Sequence, residues 1–373
     1  MPVPMLDLVA QNIVVKQKAL DGLSGLIDRC TFVLGENVKG LEAELADYSG
    51  AQYAVGMSSG TDALLVAMMA LGIGQGDEVI MPSFTFFATG GVVARLGATP
   101  VFTEIDPVTF NATPESIEAV ITPRTRAIMP VHLFGQLADM PKIMEIADAK
   151  GIPVIEDACQ SLGAKGWGES AGQFGQLTGC SFYPTKNLGA FGDAGAILIR
   201  EDDELAQKVR RLRVHGMEPV YVHHEIGING RLDEFQALIL RAKLPFLEGW
   251  HEGRRKNAKW YFDRLQAISQ DDLQLPLEVI PAGRHIYNQF TVRVKRGRRD
   301  ELQAHLKAKG IGSAIFYPIS LHQQPCFEYL GYKNGSLPET ELASQEVLSL
   351  PIYPEMTEAM LEEVASAILE FFG

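Results

Sequence analysis

The stretch SFYPTKNLGAFGDAG, residues 181–195, is where two sequence patterns meet. The run Cys180–Tyr183 is short and apolar, Pro184 stops it, and one lysine, Lys186, stands before a loop punctuated by Gly189, Gly192 and Gly195. A short apolar run bounded by proline and glycine reads as a buried strand. A second such run, Ala196–Ile199, follows at once. A lysine at the exit of a buried strand, flanked by Phe182, Tyr183, Leu188 and Phe191, loses part of its hydration. That lowers an ammonium pKa and makes the neutral amine a nucleophile able to form a Schiff base. Taken alone, K-N-L-G is an ordinary exposed turn; the residues around it decide the matter.

Outward from this loop the chain alternates strands and helices. Apolar runs at Tyr53–Met57, Glu78–Met81, Pro100–Thr103, Ala127–Val131 and Pro153–Ile155 are separated by amphipathic segments at Thr61–Leu71, Ala88–Leu96, Pro114–Val120 and Met140–Ala149. Strands apolar on both faces and alternating with helices imply a mainly parallel sheet covered on both sides. Ligands of such sheets bind at the carboxyl ends of the strands. Residues 1–50 read as helical, with Leu26, Ile27, Val38, Leu41 and Leu45 at helical spacing and a break near Gly35. A long helical stretch from Leu232 to about Leu265 breaks at Pro245. Beyond it a strand (Asn288–Val294), a helix (Arg299–Lys309), a strand (Ser313–Phe316) and a closing helix (Glu358–Phe372) form a smaller α/β unit. We expect a large domain over 1–250 and a small one over 251–373, because single cores stop growing near roughly 250–300 residues.

Composition narrows the function. The chain is 46% hydrophobic and 21% charged, with formal net charge −13, which argues against a nucleic-acid surface, since phosphate backbones need clustered lysine and arginine. No run reaches the roughly 18 apolar residues of a bilayer span, and residues 1–12 carry no secretion-signal pattern. A cytoplasmic location with no membrane partner is expected. Cys30, Cys159, Cys180 and Cys326 lack metal or disulfide-framework spacing, so no metal site is expected. Thr113 before Pro114 reads as a helix cap.

Three strand ends carry matching chemistry. After Tyr53–Met57 comes Ser58-Ser59-Gly60-Thr61-Asp62, a small-residue turn entering a helix, and such helix N-termini hold phosphate. After Pro153–Ile155 comes Glu156-Asp157-Ala158-Cys159-Gln160. A carboxylate at the end of a buried strand needs a cationic partner, and a pyridinium nitrogen is one. Gln160 is a donor for a ring oxygen. Lys186 lies one strand further on. Ser83–Thr89 supplies aromatic faces, with Phe86 as the stacking residue and Phe84 and Phe87 as core. His132 and His215 have no metal spacing and read as structural; His223-His224 reads as a solvated turn.

The blocks SSGTDALL, GDEVIMPSFTFFAT, AIMPVHLFGQ, PVIEDACQSLGA, SFYPTKNLGAFGDAGA and GINGRLDEFQA together resemble the DegT/DnrJ/EryC1/StrS family of nucleotide-sugar aminotransferases across nearly the whole chain. The resemblance implies an α/β type I (aspartate aminotransferase-like) fold with a mostly parallel seven-stranded sheet, pyridoxal 5'-phosphate as cofactor, and a homodimer with shared active sites. It assigns Lys186 to the Schiff base, Asp157 to the pyridine nitrogen, Gln160 to the ring face or its oxygen, and Gly60, Thr61 and Ser181 to the phosphate. Asn229 matches the residue that reaches the phosphate from the neighbouring subunit. The implied reaction takes an amino group from L-glutamate and delivers it to a nucleotide-linked keto-hexose. Members acting at C3, on a UDP-linked 2-acetamido-3-keto-glucuronate, are those the chain resembles most. Arg231, Tyr317 and His322 are the sugar-facing residues. Phe316 stands where many relatives carry histidine, which removes one donor to the sugar.

Two branches of the same fold offer alternatives: a pyridoxamine phosphate-dependent sugar dehydratase, one branch of which has histidine in place of the lysine, and a non-catalytic regulator. Lys186 argues against the branch with histidine, and the complete set of Lys186, Asp157 and phosphate-end residues argues against lost catalysis. A dinucleotide-binding reading of Gly72-Ile73-Gly74-Gln75-Gly76 fails, because that run follows a helix and precedes a strand, the reverse of the order that seats a pyrophosphate.

Overall fold

In a computed structural model, which describes residues 2–373, the alternating segments build one large sheet. Its strands are β1 (Tyr53–Met57), β2 (Glu78–Pro82), β3 (Thr99–Thr103), β4 (Thr125–Ile128), β5 (Ile155–Asp157), β6 (Leu177–Ser181) and β7 (Gly195–Ile199). Hydrogen bonds order them β3-β2-β4 and β5-β6-β7-β1. Parallel bridges Ile128↔Val154 and Val131↔Asp157 join the two groups into one seven-stranded surface. Only β7 runs antiparallel, against both β6 and β1. The sheet is thus mostly parallel, and its strands are buried along nearly their whole length, as expected where helices cover both faces.

The helices before and between these strands are α1 (Leu8–Ile13), α2 (Lys16–Arg29), α3 (Glu36–Ser49), α4 (Gly60–Ala70), α5 (Phe87–Arg95), α6 (Pro114–Glu118) and α7 (Met140–Lys150). α4 is buried over most of its circumference and forms the centre of one core with Val79, Met81, Ile155, Leu177 and Ile197. α3 seals the other face through Val38, Leu41 and Leu45. Thr113 caps α6 by accepting the Ser116 N–H at 3.1 Å. In α2 the expected pair divides: Leu26 is buried, whereas Ile27 stays exposed.

After α8 (Asp203–Leu212), α9 (Glu234–Lys243) ends in a tight turn around Pro245, and α10 (Leu247–Leu265) restarts the helix. α10 gives Leu247 and Trp250 to the sheet-side core, and Ala258, Tyr261 and Leu265 to a second core. That second core closes on an antiparallel sheet of β8 (Leu273–Gln274), β9 (Phe290–Val294) and β10 (Val347–Leu350), with α11 (Arg299–Ala308), α12 (Pro338–Glu346) and α13 (Glu358–Phe372) following in the chain. Val3 joins it too, bridging to Ile311, so the first residues pack with the C-terminal core rather than with the sheet.

One strand expectation is corrected. Ser313–Phe316 makes only a single bridge, Ala314↔Ser349, before the chain turns away to deliver Phe316 and Tyr317 against Phe84. The place in the sheet is taken by β10.

Candidate active site

Strand register brings the distant motifs together. Met57 and Ser181 both pair with Gly195, and Asp157 pairs with Gly179, two residues before Ser181. The carboxyl ends of β1, β5 and β6 therefore open at one edge. Here the backbone is crowded. A Cβ on Gly60 would lie 2.7 Å from Ser181 Cβ and 3.1 Å from Cys159 Sγ, and one on Gly195 would lie 2.5 Å from the Ser59 carbonyl. Glycine at both positions lets the first turn of α4 press against β6 and β7. Ser59 caps α4 by accepting the Asp62 N–H at 3.0 Å, and Thr61 is exposed on that turn with no hydrogen bond among the described residues. Gly60, Thr61 and Ser181 thus meet at a helix N-terminus, the kind of place that holds anions.

Asp157 is 4% exposed. Its Oδ2 accepts the Thr89 hydroxyl at 2.8 Å and its Oδ1 the Cys159 N–H at 3.2 Å. Among the described residues it has no ion pair. A buried carboxylate with only neutral donors lacks the cation that normally compensates it. Lys186 is half-buried, and its amine makes no hydrogen bond or ion pair among the described residues. Burial depresses its pKa, opposed by Cys159 and Asp157. Its loop is fixed by Lys186 N–H to Tyr183 O at 2.8 Å and Ala190 N–H to Phe182 O at 2.8 Å. Phe182 and Leu188 are buried beneath it, but Tyr183 and Phe191 are exposed, so only two of the four expected aromatic and aliphatic neighbours desolvate the loop.

Gln160 is held from two sides: its Oε1 accepts the Phe134 N–H at 2.7 Å, and its Nε2 donates to the Tyr317 hydroxyl at 3.0 Å. Tyr317 comes from the far side of the chain and packs against Phe84 and Phe86 at 6.1 and 6.2 Å. Phe86 is 56% exposed and free to present a face. Phe84 is core as expected; Phe87 is not, remaining exposed beside Phe327. Asn229 is exposed and its side chain makes no hydrogen bond among the described residues, while Gly230 next to it accepts the Ser58 N–H at 2.8 Å. Arg231 bridges to Met57 and has no carboxylate partner among the described residues.

The assignment of His322 to the sugar is corrected. Its ring is buried, with Nδ1 on Ser83 Oγ at 2.8 Å and Nε2 on Glu341 at 3.1 Å. Both nitrogens are occupied, so the side chain is a tie between chain segments. His132 is structural: Nδ1 accepts the Ala138 N–H at 3.2 Å, leaving Nε2–H to donate to Glu156 at 2.8 Å. Sequence reasoning missed Thr85 and Thr89, both buried beside Asp157. Their signal was two threonines four residues apart across the entry to α5, Thr85 just before the N-cap Phe86 and Thr89 in the first turn, where their hydroxyls meet at 3.1 Å.

A family model matches residues 15–369 and describes the DegT/DnrJ/EryC1/StrS aminotransferase family. The chain belongs to this family. It is a pyridoxal phosphate-dependent sugar aminotransferase. The chain is 50% identical to a pleiotropic regulatory protein of Geobacillus stearothermophilus, covering 100% of this chain and 99% of the relative. It is 46% identical to a UDP-N-acetyl-3-dehydro-alpha-D-glucosamine 3-aminotransferase of Acidithiobacillus ferrooxidans, covering 98% and 97%. The crystal structure of S. venezuelae DesV in complex with a ketimine intermediate superimposes with a TM-score of 0.95 at 40% identity, covering 99% of this chain and 98% of that one. Family membership brings the type I fold and its cofactor, pyridoxal 5'-phosphate. The residues fit that group in chemistry: a helix N-terminal cradle, a buried carboxylate lacking a cation, and an unpaired, partly desolvated lysine share one strand edge.

Proposed function

We propose that the enzyme transfers the amino group of L-glutamate to C3 of a UDP-linked 3-keto-hexose, yielding a 3-amino sugar for glycan precursors. The observation that carries the reading is Asp157, buried without an ion pair among the described residues and acting electrostatically on the nearby Lys186 amine. A 46% identical relative named for 3-amination of a UDP-linked 3-keto sugar supports the position and the nucleotide.

Pyridoxal phosphate, when bound, supplies an electron-withdrawing ring that stabilises negative charge at the substrate's α-carbon. In this reading Lys186 would hold the group through its amine and, once free, would serve as the general acid and base at the substrate carbon. Its lowered pKa keeps more of it neutral for that work. Asp157 would face the ring nitrogen as its carboxylate partner. Gly60, Thr61 and Ser181 bind the phosphate, Phe86 covers one ring face, and Gln160 borders the other or the ring oxygen. Arg231 and Tyr317 face the sugar.

Asn229 completes the phosphate site of a second copy, making the working unit a homodimer. Exposed apolar side chains on α1, α2 and the 220–226 segment, including Val9, Ile13, Leu20, Ile27, Tyr221 and Ile226, support burial of apolar surface in an assembly. A cytoplasmic location is supported by four free cysteines; among the described residues no helix is long and apolar enough to cross a membrane.

The test is the absorption spectrum of the protein reconstituted with pyridoxal phosphate, before and after L-glutamate, beside Lys186→Ala. We expect a visible band that glutamate bleaches and that the variant cannot form. Absence of a band in the wild type overturns the site, and a band indifferent to glutamate overturns the donor. Turnover of UDP-linked 3-keto over 4-keto sugars then tests the position.

A further inference from the structure

We propose that Thr89, backed by Thr85, is a positioning residue that holds the Asp157 carboxylate aimed at its cationic partner. The proposal rests on the assignment of Asp157 to the cofactor's ring nitrogen. Thr85 and Thr89 lie at the entry to α5, and both are buried. Their hydroxyl oxygens are 3.1 Å apart, and Thr89 Oγ1 is 2.8 Å from Asp157 Oδ2. An ionised carboxylate only accepts, so the single hydroxyl proton of Thr89 goes to Asp157. With that proton spent, Thr89 receives one from Thr85. The chain of donors therefore runs in one direction, Thr85 to Thr89 to Asp157, and each bond polarises the next.

The consequence concerns where a proton rests. Hydrogen bonds to the charged form of a carboxylate favour that form. Asp157 has two, from Thr89 and from the Cys159 backbone. Without the Thr89 hydroxyl, Oδ2 would lose its donor and the carboxylate would no longer be held towards the ring nitrogen, leaving the ring less positive and a weaker electron sink. The titratable groups that face Asp157 are Cys159, Cys180, Lys186 and Tyr317, of which the Cys159 thiol also interacts with the carboxylate by a side-chain hydrogen bond. Thr89 is the side chain whose hydroxyl meets Oδ2 at 2.8 Å.

The experiment uses the reconstituted full-length protein and follows its visible band against pH in wild type, Thr89→Val, Thr89→Ser and Thr85→Val. A less positive ring raises the pH at which the band titrates. We expect Thr89→Val to shift the midpoint upward on the order of one pH unit, the scale of one charge-assisted hydrogen bond. We also expect kcat to fall about tenfold with KM little changed. Thr89→Ser restores both, and Thr85→Val gives a smaller shift of the same sign. A Thr89→Val protein that binds cofactor with an unmoved midpoint and normal kcat overturns the proposal. So does a Thr89→Ser protein as impaired as Thr89→Val, because the hydroxyl would then not be what matters. Failure of the wild type to form any band removes the underlying cofactor reading instead, and is distinguishable at once.

Discussion

Strand β5 ends in two adjacent carboxylates that point to opposite sides of the sheet, and their surroundings differ in one respect. Glu156, fully buried, accepts from His132 Nε2 at 2.8 Å, the N–H groups of Gly172, Phe174 and Gly175 at 3.2, 3.1 and 2.8 Å, and Thr178 Oγ1 at 3.2 Å. Asp157 accepts from Thr89 and the Cys159 N–H, two donors against the five of Glu156. The first carboxylate is saturated and ties β5 to the loop before β6. The second is left incomplete. Burial alone does not separate a structural acid from a working one; the inventory of donors does.

The contrast breaks most sharply under substitution. Asp157→Asn is expected to lower turnover by about a thousandfold, the scale of losing a fixed charge in a reacting site, while circular dichroism and melting temperature stay close to wild type. Glu156→Ala reverses the pattern. It strands several buried donors and is expected to cost about 3–5 kcal/mol in denaturant unfolding, with activity per folded molecule largely kept. Equal loss of stability in both variants would erase the distinction.

Acid sharpens the comparison. Burial pushes Glu156 up, but His132 and the Gly175 and Gly172 N–H groups outweigh it, so its folded pKa lies below the ordinary value of 4.5. Its contribution is present above that value and is lost as pH falls through the lower folded pKa. The buried imidazoles of His251 and His285 act earlier: burial lowers both from 6.5 to about 3. The unfolded chain takes up their protons first, so stability falls from about pH 6.5 towards pH 3, by about 1.4 kcal/mol per pH unit for each histidine. Urea unfolding at pH 7, 5.5 and 4.5 checks this, and His251→Gln with His285→Gln is expected to flatten the slope above pH 4.5. The smallest effect is Thr178→Val, which removes one of the Glu156 donors and is expected to cost about 1 kcal/mol, with the cofactor spectrum unchanged.

How much of this was legible follows from what each feature depends on. The seven strands of the main sheet were visible as apolar runs because both faces are buried, although β5 and β6 overlap the expected runs Pro153–Ile155 and Cys180–Tyr183 by only one and two residues, and Asp157 and Lys186 stood out because strand ends are where such sheets place ligands. β10 was not visible: Val347–Leu350 follows α12 without a break, and only its pairing with β9 makes it a strand. Ser313–Phe316 has strand composition but lies beside β10 for a single bridge. His322 was misread because its partners Ser83 and Glu341 come from other segments, and nothing local announces a histidine with both nitrogens occupied. The Thr89–Asp157 bond spans 68 positions and exists only once β5 and α5 are side by side.

Helix α10 has a further consequence, for the way the molecule comes apart. One uninterrupted run of 19 residues contributes side chains to both hydrophobic cores, acting as a shared axle. Neither core can melt without stripping apolar contacts from a helix the other still needs, so unfolding is expected to register in calorimetry as one endotherm rather than two.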